Sequence, residues 1–295
     1  EIGTATFPTF ESVKEFIPQK DWWPLPTDEQ LKNDDDNVWN KHFFGKEASN
    51  ANPINYKNSV NTQYGESFGL EEFCEKAQLL NIEVMKGMYE AWNDKMWNDA
   101  AGLLIWMCHP AYPSFVWQTY DYYFEPTAAY FGCKKASEPL HIQWNPVTDE
   151  IEVVNYSAGL RNGLMAKAQI INMDGSISWE NEVSVDSKED TTNKCMKLDF
   201  PASVSSAHFV KLTLTENGKI VSDNFYLRGV EEGNYQALRE MPKVTLQSNV
   251  TTNKGNDGTW TATATLENTS STPALMIRVN VVGEKDGPVS YTHLR

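Results

Sequence analysis

The residues whose types and spacing could do chemistry are concentrated between Gly102 and Gln118, GLLIWMCHPAYPSFVWQ. Trp106 closes on the end of an apolar run, His109 and Tyr112 follow it, and Trp117, Tyr120, Tyr122 and Tyr123 come within a few residues. Aromatic rings present flat apolar faces with polar edges, and such faces stack on the C–H faces of sugar rings. His109 can add a hydrogen bond to a sugar hydroxyl. It is as well suited to a structural place in which backbone groups satisfy its ring, because buried polar groups are generally paired. Tyr112 can likewise bind or simply pack, and the whole stretch also fits an ordinary core strand with aromatics under a loop.

Such residues need a rigid element beneath them. Gly102–Cys108 is a continuous apolar run preceded by a helical pattern and bounded by turn residues, the pattern of a parallel strand covered on both faces. In a (β/α)8 barrel the loops beyond the C-terminal strand ends build the active site, so the run is expected as a buried barrel strand. The preceding helix is written in Leu70, Phe73, Ala77, Leu80, Val84 and Met88, spaced by three and four on one face. Upstream, Thr9 can cap a short helix over 10–17 that Pro18 stops. Asp34, Asp35 and Asp36 lie in an acidic, Asn-rich loop. Adjacent carboxylates diverge and no calcium-loop spacing follows them, so a solvated loop is expected rather than a cation site.

After Pro139 the period falls to two. Leu140, Ile142 and Trp144 alternate with polar neighbours, strands are expected over 151–155 and 164–172, and Asn217-Gly218 joins two further strands as a hairpin. This reads as one immunoglobulin-like β-sandwich. A second begins near Lys243, where Trp260, Ala262, Ala264 and Leu266 interleave with threonines as a half-buried strand, and 229–242 is the expected linker. About three strands are recognisable there against about seven in a closed sandwich. From Gly287 onward VSYTHLR reads as truncation plus a foreign tail, with a true terminal strand as the alternative.

Composition narrows the partners. The net charge of −15 argues against a nucleic-acid partner, because phosphate binding needs clustered Lys and Arg. Cys74, Cys108, Cys133 and Cys195 form no CxxC pair and no metal-ligand spacing, and no run of about eighteen apolar residues suggests a membrane span. The chain starts at Glu1 with neither methionine nor signal segment, so its start reads as a cut. Sequons at Asn155, Asn249 and Asn268 matter only in a eukaryotic secretory route.

Three stretches carry a family resemblance: EIGTATFPTFESVKEF at the start, GLLIWMCHPAYPSFVWQTYDYYFEPTAAYFGCKKASEPLHIQWN in the middle, and VSDNFYL before the linker. Together they make the chain resemble the C-terminal part of a glycoside hydrolase family 2 enzyme, in the branch of exo-β-D-glucosaminidases, with β-mannosidases and endo-β-mannosidases nearby. The resemblance implies a multidomain α/β plus all-β protein: residues 1–138 as the C-terminal portion of a (β/α)8 TIM barrel, 139–232 as an immunoglobulin-like β-sandwich, and 233–295 as a second, truncated one. It implies a retaining glycosidase without a cofactor or metal, acting on an oligosaccharide or polysaccharide, and a secreted or periplasmic setting in preference to the cytoplasm. Glu1 takes the place of the nucleophile, with Pro8 and Thr9 at the matching offset. The acid/base glutamate would lie upstream of residue 1. Trp106 matches a platform under the sugar, whereas His109 and Tyr112 stand where the glucosaminidase branch tends to carry Asn and Trp. A reading of another class, a non-catalytic carbohydrate-binding or adhesion protein, is disfavoured because seven of the ten tryptophans lie between Trp22 and Trp117, outside the sandwiches.

Overall fold

Helices come first and strands second, as the change of period at Pro139 predicts. The computed structural model describes residues 2–45, 52–279, 281–283 and 287–289. The helices are α1 (Phe10–Phe16), α2 (Asp28–Asn33), α3 (Val38–Lys41), α4 (Pro53–Tyr64), α5 (Leu70–Lys95) and α6 (Ala128–Ala136). Thr9 is the N-cap of α1, but its hydroxyl donates to Ser12 Oγ rather than accepting a backbone N–H. Thr27 and Gln30 form a reciprocal capping box on α2. On α5 most of the expected apolar face is observed: Leu70, Phe73, Ala77 and Leu80 are buried, Val84 packs at the margin of the same core, and Met88 is only partly buried.

That core is aromatic. Phe7 lies 4.7 Å from Phe115, 5.1 Å from Phe73 and 5.6 Å from Phe44, ring centroid to centroid, and Trp39 stacks on Phe115 at 5.1 Å. Offset and edge-to-face pairs of this kind add to the stabilisation of burial itself. The acidic loop between α2 and α3 is built locally: Asp34 Oδ1 accepts the backbone N–H of Asp36, and Asp36 lies 3.8 Å from Lys41 Nζ.

The run Gly102–Cys108 differs from its expectation. It is irregular apart from one parallel bridge between Ile105 and Ile2, and it is open to solvent, with Leu104 73% and Trp106 49% exposed. The apolar pattern predicted burial on both faces. Among the described residues no strand lies on the far side of Ile105, so its outer edge stays uncovered.

The first sandwich packs two antiparallel sheets, one of order β1-β2-β5 and one of order β4-β3-β6-β7. The strands are β1 (Leu140–Asn145), β2 (Glu150–Asn155), β3 (Arg161–Asn172), β4 (Ile177–Ser187), β5 (Thr191–Lys197), β6 (Ala207–Glu216) and β7 (Lys219–Gly229). Asn217 and Gly218 turn β6 into β7 with φ of 50° and 75°, both in the left-handed region that a two-residue hairpin requires. Leu140, Ile142 and Trp144 face Leu164, Ala166, Val210 and Leu212 in a dry interior. Asn155, the first sequon, is fully buried with Nδ2 donating to Gly159 O, so it offers no acceptor for a glycan.

The polar residues that alternate with this core are buried as well. His141, Gln143 and Glu152, polar residues of β1 and β2, are essentially inaccessible. Helix α5 lies across them. Glu90 of α5 meets His141 Nε2 at 3.1 Å and accepts from Asn224 Nδ2 at 2.7 Å and from the Tyr226 hydroxyl at 3.0 Å. On the other side of the imidazole, Nδ1 is 3.3 Å from Glu138, which also holds Lys135 at 2.7 Å and accepts from Ser222. Burial alone would neutralise His141, yet the two carboxylates raise its pKa above the ordinary value. Burial likewise opposes charge on Glu90 and Glu138, and their partners, His141 foremost, hold both below the usual carboxylate value.

Beyond the first sandwich, β8 (Leu246–Lys254) and β9 (Trp260–Asn268) form an antiparallel hairpin, and β10 (Val281–Gly283) pairs with β11 (Gly287–Val289). The expected half-buried face of β9 is instead exposed, with Trp260 68% accessible, because no described strand packs against it. The terminal 290–295, including the end of the suspected tail, lies outside the described residues.

The buried cluster gives a pH-dependent expectation. A raised imidazole contributes stability that is complete below its unfolded value near 6.5 and is lost as pH rises through its folded value. Depressed carboxylates contribute stability that is complete above about 4.5 and is lost as pH falls. His141→Leu is therefore expected to lower stability by about 3 kcal/mol in the intervening window, with the difference from wild type narrowing on both sides in melts run across pH. A difference independent of pH would show that His141 only fills space.

Candidate functional site

The N-terminal segment threads between two others and places the aromatic residues. Ile2 N donates to Leu104 O at 2.8 Å and Trp106 N donates to Ile2 O at 2.7 Å, a parallel pairing. On the opposite side Trp117 N donates to Thr4 O at 3.0 Å, and Ala5 bridges Val116 antiparallel. Gly3 is required here, because a Cβ would stand 2.2 Å from Trp106 O. Gln118 locks the register: its amide Nε2 donates to Thr6 O and Ser114 O, each at 2.9 Å, while the Thr6 hydroxyl donates to Gln118 O at 2.8 Å.

Trp106, His109 and Tyr112 lie on one loop but make separate contacts. Trp106 is exposed beside Ile2 and Gly3, and its peptide bond to Met107 is cis. His109 stacks on Phe124 at 4.6 Å and 20° and lies 6.4 Å from Tyr122. Its Nε2 is buried without a hydrogen-bond partner among the described residues. The Tyr112 ring is 6.5 Å from Phe43, which in turn lies 6.1 Å from Trp117. Glu1, the candidate nucleophile, lies outside the described residues.

The segment 119–127 closes this surface as a tight hairpin. Thr127 N donates to Thr119 O, Asp121 N donates to Glu125 O, and Asp121 Oδ1 accepts from the N–H groups of Tyr123 and Glu125. The turn pushes Tyr122, Tyr123 and Phe124 outward, with Phe124 at φ 64°. Asp121 and Glu125, which hold the turn from inside, were not among the expected site residues. Their signal is present in DYYFEP, two carboxylates four residues apart around three aromatics. Burial lifts the pKa of Asp121 to about 6, even though Ser12, the Tyr123 N–H, Arg278 and His109 all favour the charged form. Among the described residues no group of three His, Cys, Asp or Glu side chains is placed to hold a metal ion, and no helix is long and apolar enough to cross a membrane.

An exposed aromatic surface on short extended segments, backed by buried carboxylates, is suited to gripping a ring with apolar faces and hydroxyl edges. Residues 150–228 match the mannosidase Ig/CBM-like domain, and residues 224–292 match the exo-β-D-glucosaminidase Ig-fold domain. An exo-β-D-glucosaminidase of Hypocrea jecorina is 30% identical over 99% of this chain, which covers 35% of that protein. A mannosylglycoprotein endo-β-mannosidase of Lilium longiflorum is 28% identical over 77% of this chain and 24% of its own length. In fold, the chain superimposes on the exo-chitosanase of Amycolatopsis orientalis with a TM-score of 0.77 over 92% of this chain and 34% of that one, at 24% identity. The chain thus spans about a third of the length of the first relatives it matches.

Asp121 supplies a test of the loop. Its folded pKa near 6 stands above the ordinary 3.8, so its contribution is complete below the ordinary value and is lost as pH rises to about 6. Asp121→Asn keeps an acceptor for the two N–H groups and is expected to flatten that part of the stability profile. A profile as steep as wild type between pH 4 and 6, read by thermal melts, would place the titration elsewhere.

Proposed function

We propose that this chain, a homologue of the exo-β-D-glucosaminidases along nearly its whole length, is the C-terminal part of a retaining glycoside hydrolase that removes terminal β-linked glucosamine units from an oligosaccharide or polysaccharide. In this reading residues 1–138 are the last portion of a (β/α)8 barrel, 139–232 an immunoglobulin-like sandwich and 233–295 a second one. The supporting observation is the parallel pairing of Ile2 with Ile105 across a long helical connection, with Trp106 exposed immediately beyond it. Parallel neighbours joined through helices are the repeating unit of such a barrel, and the residues just past the strand ends are its working face.

Retaining hydrolysis divides the work between two carboxylates about 5 to 5.5 Å apart. One attacks the anomeric carbon, and the other, protonated, delivers its proton to the leaving oxygen. Glu1 is assigned the first task, and the second belongs to a residue upstream of this chain. Trp106 provides the platform for the sugar ring, and His109 and Tyr112 select which hydroxyls or amines are accepted. The surplus of negative charge suits a substrate that is neutral or cationic rather than polyanionic. A polymer end does not cross a membrane unaided, which supports a secreted or periplasmic setting.

A β-mannoside is the second reading, supported by the match of residues 150–228 to the mannosidase domain. A panel of p-nitrophenyl β-glycosides on the full-length protein separates the two. The β-glucosaminide is expected to be turned over fastest, Glu1→Gln to abolish turnover of a folded protein, and Trp106→Ala to lower kcat/KM about threefold to tenfold, the worth of one ring stack. Residues 1–295 alone are expected to be inactive. Preference for the β-mannoside would overturn the leading substrate, and activity that survives Glu1→Gln would overturn the site.

A further inference from the structure

After β9 the chain does not stay with its own hairpin but runs back over the rest of the molecule. Ser271 lies against the turn between β3 and β4 so closely that a Cβ on Gly175 would stand 1.9 Å from Ser271 O. Leu275 then packs on the aromatic core beneath the candidate site, and Met276 turns the backbone at φ 52°. The next charged residue, Arg278, reaches the hairpin 119–127. Its Nη2 contacts the Glu125 carboxylate, and its Nη1 lies 3.8 Å from Glu11 of α1.

Glu125 is only 3% exposed, and Arg278 is the cation found beside it among the described residues, as a charge contact in which Glu125 Oε1 makes no hydrogen bond. An unpaired buried carboxylate is costly, and a guanidinium from a distant segment relieves that cost only when the segment is in place. The Arg278 charge also favours the ionised form of Asp121, as does His109, and Asp121 Oδ2 is buried without a hydrogen-bond partner among the described residues. One cation therefore serves both carboxylates that shape the turn.

We propose that Arg278 is a positioning residue: the strap Ser271–Arg278 of the C-terminal module fixes the hairpin 119–127, and through Glu125 it sets how Tyr122, Tyr123 and Phe124 meet the ligand. The shape-setting part stands on the contacts alone; the ligand part rests on the glycosidase reading. The C-terminal module is then a working component of the site rather than an appendage.

The test measures hydrogen exchange and kinetics on the full-length protein. Arg278→Gln is expected to speed exchange of the hairpin amides about a hundredfold, the scale of a buried carboxylate left without its cation, while peptides of β1 and β2 stay as in wild type. Arg278→Lys should recover part of the protection. Arg278→Gln with Glu125→Gln should recover most of it, because no buried charge is left unpaired. With the best aryl β-glycoside, Arg278→Gln should raise KM about tenfold and leave kcat within about twofold. Unchanged hairpin exchange, or faster exchange spread across the whole chain and not rescued by the double variant, would overturn the proposal. Altered exchange with an unchanged KM would overturn its ligand part. If wild type turns over no glycoside in the panel, the glycosidase reading fails, and the exchange result still decides what Arg278 does.

Discussion

Glu90 and His141 form the contact on which the arrangement depends. A helix of 26 residues and a seven-stranded sandwich meet through a carboxylate and an imidazole, both out of water, with Glu138, Lys86, Asn224 and Tyr226 completing the set. Apolar surfaces slide and repack at small cost, whereas a buried ion pair loses most of its value when one partner moves. The geometry of α5 over β1 and β2 is fixed in direction as well as in distance. Because α5 also carries Phe73 and Ala77 into the aromatic core, the same helix ties the sandwich to the ground beneath the candidate site.

A second instance of the same solution lies in the hairpin 119–127. Glu125 is buried in a turn of the N-terminal part, and its counter-charge comes from Arg278, more than a hundred and fifty residues later. In both places a carboxylate is unfavourable until a different part of the chain arrives with a cation. Tertiary assembly is thereby coupled to local shape: the turn around Tyr122 and Tyr123 and the seat of α5 each require their distant partner.

The sequence was legible where one period prevails. Leu70, Phe73 and Leu80 announce α5, Asn217-Gly218 announces a hairpin, and the five strands expected between 140 and 229 appear close to where alternation puts them, whereas β4 and β5 were not legible in it. It misled where a pattern describes only the residue and not what covers it. The apolar run at Gly102–Cys108 has the composition of a buried strand, but burial depends on neighbours outside the run, and Leu104 and Trp106 stand exposed. The polar neighbours of Leu140, Ile142 and Trp144 are buried too, because α5 covers them. Of the candidate site, Trp106, His109 and Tyr112 were readable as aromatic chemistry, whereas Asp121, Glu125 and Arg278 were not. Their roles come from pairings across the chain that no local spacing records.

The polarity of the surface beneath α5 has a consequence for how such a chain is made. The N-terminal part leaves the ribosome before the sandwich exists, and the last turns of α5 then present Glu90, Asn93 and Asp94 to water. Those groups are content there. The matching face of the nascent sandwich carries His141, Gln143 and Glu152, equally well solvated while it waits. Neither surface is an apolar patch that would recruit a neighbouring chain. At this contact dehydration is deferred to the moment at which every hydrogen-bond partner is at hand, the same moment at which Phe209 and Leu227 of the sandwich join Phe73 and Leu80 in the apolar core.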